Sequence, residues 1–404
     1  MVLSTPQRHR RRSIPDSRPV LSVVRCGCGY NWYTVNKRHG GSSQLVRFSV
    51  KAHFVRLAGF GSLLFATCTL VLDARSASAV VSDRSYVTPA RLVNVGHGRK
   101  MNILCVGNGT PTVIFDAGLG DQIRAWATVQ PQIAQRTRAC SYDRAGLGFS
   151  DPSGRPGTSM NAVDDLHELL IAASIKPPYV LVGHSLGGMY VRLYADKYRS
   201  KVAGIVLVDP VSEEQGRRYT ALDVSTKTLN ERYVEWIHSE CIPAAAMGFD
   251  RMSEIFKRCV GDPDPHFSAV FNDALAENES TAGHFQAVWS EWANVFTTSS
   301  DQVRSARRSF DSMPLIVLSR APFGLQPNET QEMRDAKNRL WMELHDDLAH
   351  LSARGVNRVV PGAGHYIQFD RPAAVVGAVF EVLDEIATPS SKASGTSRPT
   401  ALEK

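Results

Sequence analysis

From residue 91 to residue 208 the chain alternates short apolar runs with stretches whose apolar side chains recur at helical spacing. That alternation predicts a layered α/β domain built on a mostly parallel sheet. Arg91–Val95 and Met101–Val106 read as strands joined by Gly96-His97-Gly98, and Thr112–Phe115 follows the turn at 107–111. Arg138–Tyr142 is a further strand, residues 161–174 form a helix stopped by Pro177-Pro178, and Tyr179–Val182 is a buried strand. A helix runs from Leu186 to Tyr198, and Val202–Val208 is apolar enough for a strand covered on both faces.

The period then changes. Residues 212–308 hold no strand-like run, are mostly helical, and carry a dense set of rings, among them Trp236, Phe249, Phe256, Phe285, Trp289, Trp292 and Phe296. The strand pattern returns at Pro314–Ser319. A helix over 329–353, a short strand at Arg358–Val360 and a last helix from Pro372 to Ala387 follow, the last with Asp370 as its expected cap. The expected organisation is a core of residues 80–211 and 309–387, a helical cap of residues 212–308, and a disordered Ser/Thr/Pro-rich tail at 388–404.

Residues 1–79 do not fit that domain. Leu57–Leu72 is an apolar run of signal-peptide length, preceded by Lys51, His53 and Arg56 and followed by Ala77-Ser78-Ala79, a small-x-small cleavage pattern. Residues 50–79 therefore read as a signal peptide and residues 1–49 as a doubtful extension, with translation starting near Val50. The export destination is secreted or periplasmic; an uncleaved segment would instead anchor the chain in a membrane.

Charge supports the division. The net charge is +7, but residues 1–79 hold twelve of the 46 Lys/Arg and only Asp16 and Asp73 among the acids, which leaves the remainder at −3. A body so nearly neutral offers no phosphate-tracking face, so nucleic acid is not an expected partner. Four cysteines follow Ala79, namely Cys105, Cys140, Cys241 and Cys259, and none forms a Cys-x-x-Cys pair. That even count suits disulfides in an exported protein better than a zinc site.

The chemistry concentrates in three segments. Gly183-His184-Ser185-Leu186-Gly187 lies between a buried strand and a helix, where a sharp turn lifts the Ser185 hydroxyl off the sheet edge. The alternative is a plain helix-opening turn; His184 needs only a packing role. Asp116-Ala117-Gly118-Leu119-Gly120 ends another strand, and the amides of Leu119 and Leu186 are the candidate donors for a developing oxyanion. His365, in Gly362-Ala363-Gly364-His365, is the candidate general base, because the order Ser, acid, His runs along the chain. Asp209, ending the strand after the Ser185 helix, is the candidate acid, with Asp335 and Glu329 as fallbacks.

Three longer segments, PPYVLVGHSLGGMYVRLYA (177–195), CSYDRAGLGFSDP (140–152) and PGAGHYIQFDRP (361–372), resemble the epoxide hydrolase/esterase-like branch of the α/β-hydrolase superfamily in order and spacing. The resemblance covers Arg91 to Ala387. It implies an eight-stranded, mostly parallel sheet with helices on both faces and a cap after the sixth strand. With Ser185, His365 and the two amides as candidates, the expected function is a serine hydrolase of carboxylesterase type acting on a small-molecule ester, with no metal or organic cofactor expected. Ser185 stands where epoxide hydrolases have aspartate, which argues against epoxide chemistry. The chain also departs from the family pattern in having Asp116-Ala117-Gly118 for the usual His-Gly, and in lacking the usual acid after strand seven. The implied strand order sets Cys105 beside Cys140 and leaves Cys241–Cys259 to staple the cap, while Asp143 and Arg144 become supports of the site. An amidase, peptidase or acyltransferase with the same residues, or a non-catalytic binding protein on this fold, are the rival functions. The cap's rings suit an apolar acyl or aromatic substrate, or else merely form the cap's own core.

Overall fold

The computed structural model describes residues 80–327 and 329–388, together with two short strands, Val20–Val24 and Trp32–Asn36, paired in a sheet of their own. The expected signal peptide and the tail beyond Thr388 lie outside the described residues.

Eight strands form the main sheet: β1 (Arg91–Asn94), β2 (Lys100–Val106), β3 (Thr112–Asp116), β4 (Ala139–Tyr142), β5 (Tyr179–His184), β6 (Val202–Val208), β7 (Leu315–Arg320) and β8 (Gly355–Val360). Their order is β1-β2-β4-β3-β5-β6-β7-β8. Only the β1–β2 and β2–β4 pairs are antiparallel. The expected fold is therefore present.

Side chains of the central strands alternate between two cores, as the pleat requires. Ile114, Leu181, Ile205, Leu207 and Val317 join one apolar cluster with helices Ser159–Ala172 and Leu186–Lys197. Val113, Phe115, Val180, Val182, Val206 and Ile316 join the other, under helix Pro372–Ala387. Both faces are covered, which explains why these strands are unbroken apolar runs.

Cys105 and Cys140 are directly opposed in the β2–β4 register and form a disulfide, and Cys241–Cys259 forms a second within the insertion. The insertion runs from helix Gln215–Leu222 to helix Thr298–Ala306 and contains no strand. Its rings divide between two duties. Phe249 packs against Phe256 and Phe285 inside the insertion, whereas Trp292 and Phe296 face a cavity shared with the sheet.

Three local expectations change. β8 begins at Gly355, three residues early, because this edge strand is mostly solvent-exposed and shows no apolar run. The long helix is Gln331–Ala349, capped by the Thr330 hydroxyl on Met333 N–H. Asp370 does not cap the final helix: Arg371 occupies that position, and Asp370 Oδ2 instead accepts from Gly364 N–H at 2.7 Å, fastening the loop that carries His365.

Candidate active site

Ser185 sits between β5 and the helix that starts at Leu186, with φ 51° and ψ −118°. A non-glycine residue held there carries strain of roughly 1–3 kcal/mol, which the surrounding packing must offset. The packing is tight because of two glycines. A Cβ on Gly183 would lie 2.5 Å from Gly187 O, and one on Gly187 would lie 2.3 Å from Asp116 O. A side chain at Gly187 would push the turn away from β3, and one at Gly183 would force the strand end away from the first turns of the helix.

Asp209 follows β6 and also has positive φ, 42°. Its Oδ2 lies 2.6 Å from His365 Nδ1, and its Oδ1 accepts from Arg320 N–H and Trp341 Nε1, each at 3.0 Å. Burial pushes this carboxyl up, but the hydrogen bond and charge of His365, with Arg320, outweigh it and hold the pKa at about 2. The expected acid thus reaches the expected histidine. The fallback residues do not: Asp335 is exposed and accepts from Gln331, while Glu329 pairs with Arg334 and Lys337.

His365 is buried, and its Nε2 has no hydrogen-bond partner among the described residues. Its backbone carbonyl is held by His184 Nε2 at 3.0 Å. Burial, with His365 close by, keeps His184 well below the usual imidazole range, so it serves as a neutral donor. Ser185, His365, Leu119 and Leu186 line one cavity of about 90 Å³. Leu186 is the first residue of its helix, where an amide has no intrahelical acceptor.

The Leu119 loop is fixed by a buried guanidinium. Arg144 donates to Ala117 O at 2.8 Å, Gly118 O at 2.6 Å and Asp116 Oδ1 at 3.0 Å, and to both oxygens of Glu291. Glu291 comes from the insertion's helix Ala282–Val295, and its Oε2 also accepts Gly120 N–H at 2.8 Å. Asp116, where the family pattern has histidine, is thus an anchor for Arg144. Asp143 fastens the neighbouring turn through Ile123 and Phe149 N–H. A larger cavity, about 700 Å³, opens beyond Arg144 and Glu291, but neither Ser185 nor His365 lines it.

Sequence reasoning missed Arg320, Trp341, His345 and Glu291. His345 bridges Ser319 Oγ at 2.6 Å and Pro210 O at 3.0 Å, bracing the turn beside Asp209. No local motif marks these residues. The absence of an acid after β7 is the one available signal, because there Arg320 N–H receives the carboxylate arriving from β6.

Among described residues no cluster of metal-ligating side chains occurs, and no helix is long and apolar enough to cross a membrane.

Similarity to known proteins gives the family and the fold. The chain is 26% identical over 290 residues to efuK of Hormonema carpetanum, named as a transporter candidate, and 38% identical over 104 residues to the uncharacterized YqjL of Bacillus subtilis. These matches take in 69% and 26% of this chain, and the chain spans about 40% of each relative's length. RutD of Yersinia enterocolitica, a candidate carbamate hydrolase, is 36% identical over 112 residues, 26% of this chain and 39% of that protein. Among solved structures, a candidate epoxide hydrolase of Pseudomonas aeruginosa superposes with TM-score 0.56 at 17% identity, covering 73% of this chain and 95% of that one. A candidate acyltransferase of Salmonella enterica gives 0.55 at 16% identity with the same coverage. At that identity the likeness speaks for the fold. The family model described as "Alpha/beta hydrolase family" matches residues 113–378, a span that holds Leu119, Ser185, Asp209 and His365, and the chain belongs to that family.

Proposed function

We propose that the chain is an exported serine hydrolase that cleaves a carboxylic ester through an acyl-enzyme on Ser185. One observation carries this: His365, hydrogen-bonded through Nδ1 to a buried carboxylate, lines the same cavity as Ser185, and its Nε2 has no hydrogen-bond partner among the described residues.

The steps follow. Ser185 Oγ attacks the ester carbonyl carbon while His365 Nε2 takes the hydroxyl proton, and Asp209 stabilises the imidazolium. The carbonyl electrons move onto oxygen, where the amides of Leu119 and Leu186 receive the charge; one such donor is worth on the order of 100- to 1000-fold in rate. Collapse of the tetrahedral adduct breaks the ester bond, and the alcohol leaves with the proton from His365. Water then attacks the acyl-Ser185 carbonyl with His365 again as base, releasing the acid and restoring the hydroxyl. Arg144, tied to Glu291 and Asp116, holds the Leu119 loop in place throughout.

Export is supported by the two disulfides, which suit an oxidising compartment, and by the signal-like pattern of residues 50–79. N-terminal sequencing of the native protein tests it: a mature chain beginning near Val80 is the expected result.

For the activity, the test is fluorophosphonate labelling alongside turnover of a short series of p-nitrophenyl esters. Both depend on Ser185, so Ser185→Ala abolishes the label and lowers kcat by about 10⁴-fold or more. A folded protein that takes no Ser185-dependent label favours the binding-protein alternative. Product analysis with added amines or alcohols separates hydrolysis from acyl transfer.

A further inference from the structure

The cavity at Ser185 has two chemically different walls. One is apolar, formed by Leu119, Val211, Trp292, Val295 and Phe296. The other is cationic. Helix Gln331–Ala349 turns Arg334, Lys337, Asn338 and Trp341 toward the cavity, and their spacing of three, four and seven residues puts them on one helix face. Arg320, at the end of β7, joins them, its guanidinium 3.5 Å from the Phe323 ring centroid and 4.5 Å from that of Trp341.

Three cations therefore line the space beside the nucleophile, and among the described residues no carboxylate does. Their counter-charges lie outside that lining. Lys337 Nζ is 2.8 Å from Asp223 Oδ2 and 3.1 Å from Glu329 Oε1, Arg334 pairs with Glu329, and Arg320 Nε is 3.6 Å from Asp209 Oδ2. Burying paired charges costs several kcal/mol that a fold can avoid with apolar residues. An ester pocket for a purely hydrocarbon substrate has no use for such a wall. A substrate with an anionic arm does, because the three ion pairs turn their cationic members to the cavity and their carboxylates away from it, and a low-dielectric surround screens that field less than water does.

We infer that the substrate is a monoester with a free carboxylate, its anion directed to Arg334 and Lys337 and its apolar part to Trp292 and Phe296. The inference rests on the serine-hydrolase reading of the same cavity and sharpens it.

The probes are the mono-p-nitrophenyl ester of glutaric acid and its neutral ω-amide counterpart, which differ in charge and little in size. The acid is expected to have a kcat/KM at least about tenfold higher, with the preference shrinking as salt screens it. Lys337→Met lowers that ratio and Lys337→Arg keeps most of it. A second measurement needs no turnover. Glutarate raises the melting temperature of the Ser185→Ala variant, and glutaramide does not. Equal kcat/KM for the two esters, with no glutarate shift, overturns the carboxylate assignment while leaving the hydrolase standing. A glutarate shift without Ser185-dependent turnover of either ester keeps the anion site and removes the hydrolase.

Discussion

Asp209 and Asp116 occupy corresponding places in this molecule. Each ends or follows a central strand, each is fully buried, and each is tied to a basic side chain. Their partners differ in one respect. His365 spends one nitrogen on Asp209 and leaves the other without a hydrogen-bond partner among the described residues, while Arg144 spends its donors on Asp116, two backbone carbonyls and Glu291. The first pairing leaves a group able to move a proton. The second has no atom to spare and can only hold a loop. The electrostatics follow: burial pushes the Asp116 carboxyl up to about 6 against the pull of Arg144 and the Tyr142 hydroxyl, whereas Asp209 is held at about 2. A buried charge near a site thus reveals its role through what its partner still has free.

If that contrast is right, the two aspartates separate in mutants. Asp209→Asn leaves Oδ1 to accept from Arg320 and Trp341 but turns an amide N–H toward His365 Nδ1, forcing the tautomer that cannot act as a base. The expected loss is about 10⁴-fold in kcat with little change in melting temperature. Asp116→Asn should do the reverse, costing little of kcat and showing its stability cost at low pH; a comparable collapse of kcat in both variants breaks the comparison.

Glu291 tests the second region from the cap's side. Glu291→Gln removes the charge facing Arg144 while keeping an oxygen for Gly120 N–H. A buried guanidinium that loses one of its two carboxylates is destabilised by about 3–5 kcal/mol. The Leu119 amide loosens with it, so kcat falls by roughly 10- to 100-fold, less than the full loss of an oxyanion donor, with KM moving little. A variant with unchanged kcat and a lowered melting temperature would show that Glu291 serves stability alone.

The same contrast explains what was readable in the chain. Ser185, Asp209 and His365 lie beside glycines or prolines at strand ends, and the geometry those turns need is written locally, in Gly183, Gly187, Pro210 and Gly364. The sheet was legible for a similar reason, since strands covered on both faces must be apolar throughout. β8 was cut short because an exposed edge strand carries no such pattern. Glu291, Arg320, Trp341 and His345 were invisible because their roles come from distant parts of the chain: Glu291 meets Arg144 across 147 positions and Trp341 meets Asp209 across 132. Nothing within a helical turn of either residue signals its partner. Asp370 misled for the opposite reason, standing where a cap belongs while its carboxylate serves Gly364.

The smallest effect concerns pH, and it sets the two aspartates against each other most directly. Asp209 has a folded pKa below its unfolded value, so it adds stability above about pH 4 that is lost as the pH falls toward 2. Asp116 has a folded pKa above its unfolded value. The native state then binds its proton more tightly, and the stability it contributes is greatest below about pH 4 and declines as the pH rises through 6. A rise from 3.8 to about 6 corresponds to about 3 kcal/mol between the two limits. Asparagine at 116 does not titrate. The stability difference between wild type and Asp116→Asn should therefore move by about that amount in the variant's favour from pH 4 to pH 7, measured by denaturant titration at each pH. The same difference for Asp209→Asn should stay flat across this window, because both its limits lie at or below the acid end. A flat profile for Asp116 as well would mean that Arg144 keeps its carboxyl ionised throughout, as His365 and Arg320 do for Asp209, and the distinction between the two aspartates would then rest on geometry alone.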